Sequence, residues 1–262
     1  MRILPPFLGS IALLFLAANA PEPSALARGQ EIAEEADRRE SGFVDSVASV
    51  EMVLQDASGK EARRFLTIKT REGADKASGQ KSLVLFHKPL DVKGTALLTH
   101  AEITQADQQW LYLPAIKRVK RVPSTNRAGP FMASEFSYED MLPPEIERYQ
   151  HHYQATVRCG AQSCFKLERV PLDPESGYRK QIAYLDTEHY RLQRVDYFDT
   201  KDTHFKTLFF QDYRQYEGRF WRSLQMTMVN HRSGKTTYLL WDTFAFGNGF
   251  SDADFSQVAL QN

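Results

Sequence analysis

From Phe43 onward, apolar and polar residues alternate with the period of two that marks strands with one buried face. In "SVASVEMVLQD" (46–56), Ala48, Val50, Met52 and Leu54 fall on one face, with Ser49 and Glu51 on the other, until Val53 interrupts the alternation. "EARRFLTIKT" (61–70) follows across a Ser58-Gly59 turn, aligns Leu66 with Ile68 and completes a hairpin. Further strands are predicted at 82–87, 94–103 and 109–114, with 71–81 read as a polar loop. In the second half, Tyr149, His151, Tyr153, Ala155 and Val157 share one face of "YQHHYQATVR" (149–158). Six more such runs follow, "FKLERV", "RKQIAYLD", "YRLQRVDYFD", "HFKTLFFQDY", "FWRSLQMTMV" and "TTYLLWDTFAF", punctuated by turns such as "DPESG", "DTKDT", "YEG" and "RSG". About eleven strands at hairpin spacing predict a mostly β chain, a large, curved antiparallel sheet forming a half-open barrel. No repeat of fixed length occurs, which argues against a propeller.

Three stretches depart from this period. "RGQEIAEEADRRE" (28–40) has helical composition, with Ile32 and Ala36 four apart on one side, so an N-terminal helix is expected to lie on the sheet or across an opening. Ser137 followed by Asp140 forms a capping-box pattern that Pro143-Pro144 cuts short, and Ser251 with Asp254 repeats the pattern near the C-terminus. These mark short helices that would serve as lids over the concave face.

The N-terminus changes the picture by setting a compartment. Arg2, the apolar run "IALLFLA" (11–17) and the small residues after it read as a secretory signal peptide. Cleavage is expected after Ala27, with Ala20 the competing site because Pro21 would hinder the peptidase there. Residues 28–262 would then form a single domain. The 33 basic residues balance the 33 acidic ones, and removing 1–27 takes one of each, so the chain lacks the basic excess of a nucleic-acid binder. Cys159 and Cys164, the two cysteines, flank four residues between strands, which in an exported chain predicts a disulfide clamping a hairpin.

Candidate chemistry is sparse. The sequence holds no H-E-x-x-H, G-x-S-x-G, Walker or dinucleotide-binding motif, so no catalytic residues, cofactor or metal site is assigned. His151 and His152 point to opposite faces of one strand and cannot chelate together; one of them is expected to be a hydrogen-bonded interior histidine. Asp196, Asp199, Asp202 and His204 gather around a turn without the glycine and distal glutamate of an EF-hand, and read as a solvated turn. What the strands do offer is apolar surface. Leu224, Met226 and Met228 share a face of one strand, Trp110 and Tyr112 a face of another, and Phe205 and Phe209 a face of a third, close to Phe210. Such stripes form ordinary core or, on a curved sheet with little helix to fill it, line a hydrophobic cavity.

The block "KGTALLTH" (93–100), "QQWLYLPAIKRVKRV" (108–122) and "GPFMASEFSYEDM" (129–141) resembles the LolA/LolB-like superfamily, and most closely its branch of outer-membrane lipoprotein-sorting proteins. Ala133-Ser134-Glu135 stands where that branch carries Gly-Ser-Asp, keeping the acid and losing the glycine. The resemblance implies a LolA-like half-barrel with a helical lid, working in the periplasm as a non-catalytic carrier or chaperone of a lipid, acyl chain or lipidated molecule. Its expected cavity lining is Leu66, Ile68, Leu98, Trp110, Tyr112, Phe131, Met132, Phe136, Leu224, Met226 and Met228. Lys117, Arg118, Lys120 and Arg121 would be a solvated face, or the contact with a lipid headgroup or an acidic partner. The implied partners are lipid or lipoprotein acyl chains and an envelope export system, with the protein itself a monomer. The rival reading is a ligand-free adaptor docking on an inner-membrane transporter of the resistance-nodulation-division (RND) type.

Overall fold

A computed structural model describes residues 23–74, 78–103, 105–143 and 145–261. Residues 1–22, most of the expected signal peptide and its Ala20 site, lie outside the described residues, as does Pro144 of the proline pair. Helix α1 (Ala25–Glu40) begins three residues before the sequence pattern does, because Ser24 caps it by accepting the Ala27 N–H at 3.2 Å.

Thirteen strands form one antiparallel sheet. They are β1 (Asp45–Gln55), β2 (Glu61–Arg71), β3 (Ser78–Lys88), β4 (Ala96–Glu102), β5 (Gln108–Leu113), β6 (Arg118–Arg121), β7 (Tyr149–Cys159), β8 (Gln162–Pro171), β9 (Tyr178–Asp186), β10 (Leu192–Asp199), β11 (His204–Tyr216), β12 (Phe220–Asn230) and β13 (Thr236–Phe246). The count exceeds the sequence estimate partly because β6, only four residues long, carries too little alternation to read. β2 and β3 also run further than expected, so the predicted 71–81 loop shrinks to the link between Arg71 and Ser78. Gly79 enters β3 because the backbone of Ala101 passes so close that an added Cβ would sit 2.6 Å from its carbonyl oxygen.

The strand order is β6-β5-β4-β3-β2-β1-β13-β12-β11-β10-β9-β8-β7. Two meanders therefore meet where β1 pairs with β13, and the sheet edges, β6 and β7, are consecutive in the chain. The connection between them must cross from one edge of the sheet to the other. Among the described residues, the helical turns of this strap, residues 122–148, are single turns of 3-10 helix at Ser124–Asn126, Phe131–Ala133, Glu139–Met141 and Ile146–Arg148, where short lid helices were expected. The capping box at Ser137 and Asp140 does form, with both reciprocal bonds, and a second forms at Ser251 and Asp254.

The sheet is covered on both faces. On the concave side, Phe86, Leu97, Phe131, Phe136, Leu167 and Met228 belong to one large core, which α1 joins through Ile32. Helix α1 lies so close to β7 that a Cβ on Gly29 would fall 2.2 Å from the His151 carbonyl oxygen. On the convex side, the C-terminal tail lays Phe255 and Leu260 over Leu83, Ala96 and Leu98. Asp45 anchors this tail. Its buried carboxylate accepts the N–H groups of Asn248 and Phe250 at 2.7 and 3.0 Å. The Cys159–Cys164 disulfide closes the β7–β8 hairpin as predicted.

Candidate functional site: a cavity on the concave face

Where the strap does not fill the concavity, a cavity of about 1030 Å³ remains. Its wall is apolar. Ala48, Ile68, Val84, Val195, Leu208, Phe210, Met226, Leu239, Trp241 and Phe244 come from β1, β2, β3, β10, β11, β12 and β13, and Phe136 and Met141 from the strap. Two register faults shape this wall. At Phe205 a bulge between β10 and β11 shifts the parity of the strand, so Leu208 and Phe210 face inward and Phe209 is left exposed. Between β1 and β13, Ala48 pairs with Phe244 but Val50 with Trp241, and the extra residue lets both Trp241 and Phe244 line the cavity.

Of the residues expected at the lining, Ile68, Phe136 and Met226 reach it. Leu66, Phe131 and Met228 are buried in the adjoining core, with Met132 packed against it. Leu224 is half-buried on β12 and does not line the cavity. Leu98, Trp110 and Tyr112 lie on the convex face with Phe255, and the concave partner on β5 is Leu111. Both faces of β4 and β5 are apolar because the tail covers the outer one, so alternation could not tell inside from outside. Trp241 and Phe244 went unassigned because a fault in pairing leaves no trace in the periodicity of a single strand. The large aromatics near the C-terminus were the one available signal.

The strap is held by buried polar groups. The Lys206 ammonium donates to Asp140 Oδ2 at 2.5 Å, with both side chains almost wholly buried. The Tyr178 hydroxyl donates to Asp140 Oδ1 at 2.7 Å, and the rings of Tyr178 and Tyr197 each stand 4.9 Å from the ammonium. Burial, with the negative charge of Asp140 beside them, pushes both tyrosine hydroxyls well above their usual range. At the edges, buried Asp107 contacts Arg148 and accepts the Glu102 N–H at 2.9 Å, while its carbonyl takes Arg127 Nη2 at 2.9 Å. Two arginines thus tie the two ends of the strap to one residue, Asp107, Arg148 through its carboxylate and Arg127 through its carbonyl. In the middle, Glu135 N–H donates to Thr237 Oγ1 at 3.0 Å and its carboxylate accepts from Asn230 at 2.6 Å. Ala133, where the lipoprotein-sorting branch carries glycine, has a φ of +58°, a left-handed conformation that a Cβ disfavours.

The mouth opens between the C-terminal end of α1, the end of β2 and the strap near Glu145. Asp37, Glu72, Glu145 and Glu147 line it, and among the described residues none of the four forms an ion pair. Burial, reinforced by Glu147, pushes both Asp37 and Glu145 up. Burial also pushes Glu40 up, although Arg222 lies against it. Inside, Trp241 Nε1 is buried and finds no acceptor in the protein.

The remaining candidates resolve structurally. His151 is buried, hydrogen-bonded through Nε2 to the Ile146 carbonyl at 3.0 Å, and pushed below its usual range by burial. Asp196 pairs with Arg194, Asp199 with Arg232 and Asp202 with Lys180, so the acidic turn is divided among three cations. Pro114 opens a turn, Pro114–Ile116, and pairing resumes at Arg118. The basic cluster therefore occupies the exposed edge strand β6 and the residue before it. Ile116 is exposed in this turn, whereas Val122 packs against the core.

A protein-family model described as "Uncharacterized protein" matches residues 78–262. Among solved structures, a domain from Vibrio parahaemolyticus named for outer membrane lipoprotein sorting is 42% identical, with a TM-score of 0.88 over 90% of this chain and 100% of its own. A DUF1329 family protein from Desulfovibrio piger is 29% identical, with a TM-score of 0.86 over 91% of this chain and 100% of its own. A LolA superfamily protein from Nitrosomonas europaea shares the fold at 15% identity, with a TM-score of 0.71 over 88% and 98% of the two chains. No curated protein matches. At 42% identity over 90% of its length, the chain belongs to the family of the outer membrane lipoprotein-sorting protein domain, DUF1329, and it shares the fold of the LolA superfamily protein.

Proposed function

We propose that the protein is a non-catalytic periplasmic carrier that holds the acyl part of a lipid or lipidated molecule in the concave cavity. The observation that carries this reading is the cavity itself. At about 1030 Å³ it stands at the top of the range of small-molecule sites, and its wall is drawn from ten of the thirteen strands, α1 and the strap. Each methylene moved from water into such a wall contributes roughly 0.8 kcal/mol, so even a partly buried chain binds at useful strength. Trp241 Nε1 offers a donor within the wall that an ester or carboxyl oxygen would satisfy. Membership of a family whose Vibrio member is named for lipoprotein sorting favours the same ligand class and compartment. Nothing comparable favours the ligand-free adaptor on an RND-type transporter.

The test is native mass spectrometry of the protein recovered from the periplasm, followed by solvent extraction of whatever it holds. A stoichiometric amphiphile, displaced by a fluorescent fatty acid, is expected. A protein that is empty and also takes up no fatty acid defeats the reading. The same spectrum reads the mature N-terminus. A chain beginning at Arg28, from the cleavage expected after Ala27, would lack Ser24 and the first turn of α1, whereas one beginning at Pro21 would keep the helix whole.

A further inference from the structure

We propose that the plugged end of the barrel is a docking surface for an anionic lipid bilayer, on which the protein sits with its cavity mouth pointing away from the membrane. Two aliphatic tips stand exposed at this end. Leu90, in the turn between β3 and β4, is 86% exposed, and Ile116, in the turn after β5, is 49% exposed. Because Ala96 pairs with Tyr112, these turns leave the sheet at the same end. They lie side by side, since a Cβ on Gly94 would come 3.6 Å from the Pro114 ring. A single exposed leucine needs no explanation, but two aliphatic tips on adjacent turns at one end of a barrel form a feature.

The charges around the tips supply the second half of the argument. Lys88, Lys93, Lys117, Arg118, Lys120 and Arg121 are all exposed. Among the described residues, none of their side chains enters an ion pair. Asp91 is the one acid in the two turns and β6. A chain with no net charge has thus gathered around two apolar tips six cations that enter no ion pair among the described residues, Lys88 standing 5.9 Å from the Phe65 ring. That combination suits the boundary of an anionic membrane, where aliphatic tips enter the acyl region and cations meet phosphates. An acidic protein surface would engage the cations but would give Leu90 no apolar environment.

Orientation follows from the opposite end. β3 starts at Ser78 beside the mouth and finishes at Lys88, so the mouth carboxylates Asp37, Glu72, Glu145 and Glu147 lie at the far end of the sheet. The surface that attracts the basic end repels the acidic one. Docked in this way, the mouth faces the aqueous space, accessible to a second protein or membrane.

The experiment uses the mature protein and sucrose-loaded vesicles of phosphatidylcholine, alone or mixed in equal parts with phosphatidylglycerol. Wild type is expected to sediment with the mixed vesicles only. Lys117→Glu with Arg121→Glu should weaken this by roughly fivefold or more for each cation lost. Leu90→Ser with Ile116→Ser, at positions too exposed to affect folding, should weaken it without changing the salt dependence. An environment-sensitive dye on Leu90→Cys should shift to the blue on binding, and one on Glu147→Cys should not. Three outcomes would overturn the proposal: wild type staying in solution, the double serine variant binding like wild type as charge-only docking to an acidic protein predicts, or the dye shifting at position 147 instead of 90.

Discussion

The two ends of this barrel are made from the same strands and yet are filled differently. At one end the strap drives Phe131 against Phe86 and Tyr138, with ring centroids 5.9 and 5.5 Å apart, and Phe131 is wholly buried. At the other end the inward residues of β1, β10, β11, β12 and β13 face a void, and carboxylates crowd its rim. A curved sheet cannot fill its own concavity, so something else must: connecting chain at one end and, on our reading, a ligand at the other. The difference teaches that side-chain size should cost much at the plugged end and little at the open one.

Asp140→Ala should have the largest effect. It would leave the Lys206 ammonium buried without its carboxylate and remove an acceptor from Tyr178, at a cost of about 3–5 kcal/mol in urea unfolding. Replacing Asp140 and Lys206 together by Leu and Met should restore most of that loss, which separates a buried charge from a packing defect. Phe131→Ala, at a wholly buried position in the plug, should cost about 3–4 kcal/mol. Met226→Ala, on the cavity wall, should cost under about 1.5 kcal/mol, because its side chain already borders empty space. If it costs as much as Phe131→Ala, the cavity is packed shut in solution and the contrast between the ends fails.

Two smaller changes sharpen the picture. Burial first, and the nearby Glu147 and Asp37 after it, raise the Glu145 carboxyl above its ordinary value. A raised carboxyl favours the folded state below the unfolded value and loses that contribution as pH rises through the folded value. Glu145→Gln should therefore raise the melting temperature at pH 7 and leave it unchanged at about pH 3.5, where both states are protonated. Ala133→Gly should relieve the left-handed strain in the strap and raise stability by about 0.5–1 kcal/mol in the same urea titration. No gain would mean that the entropy of the freed glycine offsets the strain.

Much of the fold was legible because strand alternation is a local property. The β runs, the Cys159–Cys164 clamp and both capping boxes each depend on residues close in sequence. The block around Trp110 and Phe136 also carried the family. The site was legible only where a strand has one apolar face, as at Ile68 and Met226. Alternation could not place Trp110 and Tyr112, which the C-terminal tail covers from outside, nor Phe210 and Trp241, which register faults turn inward.

The sequence by itself determined a mostly β chain, its hairpins and its turns, because period, caps and turn residues act within a few positions of one another. Tertiary structure alone decided that β1 pairs with β13, and therefore that β6 and β7 become edges joined by a strap. It also decided which face is concave, and it brought Asp140, Tyr178 and Lys206 together from distant segments. These outcomes depend on long-range register and on which surfaces another part of the chain covers, and neither leaves a periodic signal in any single segment.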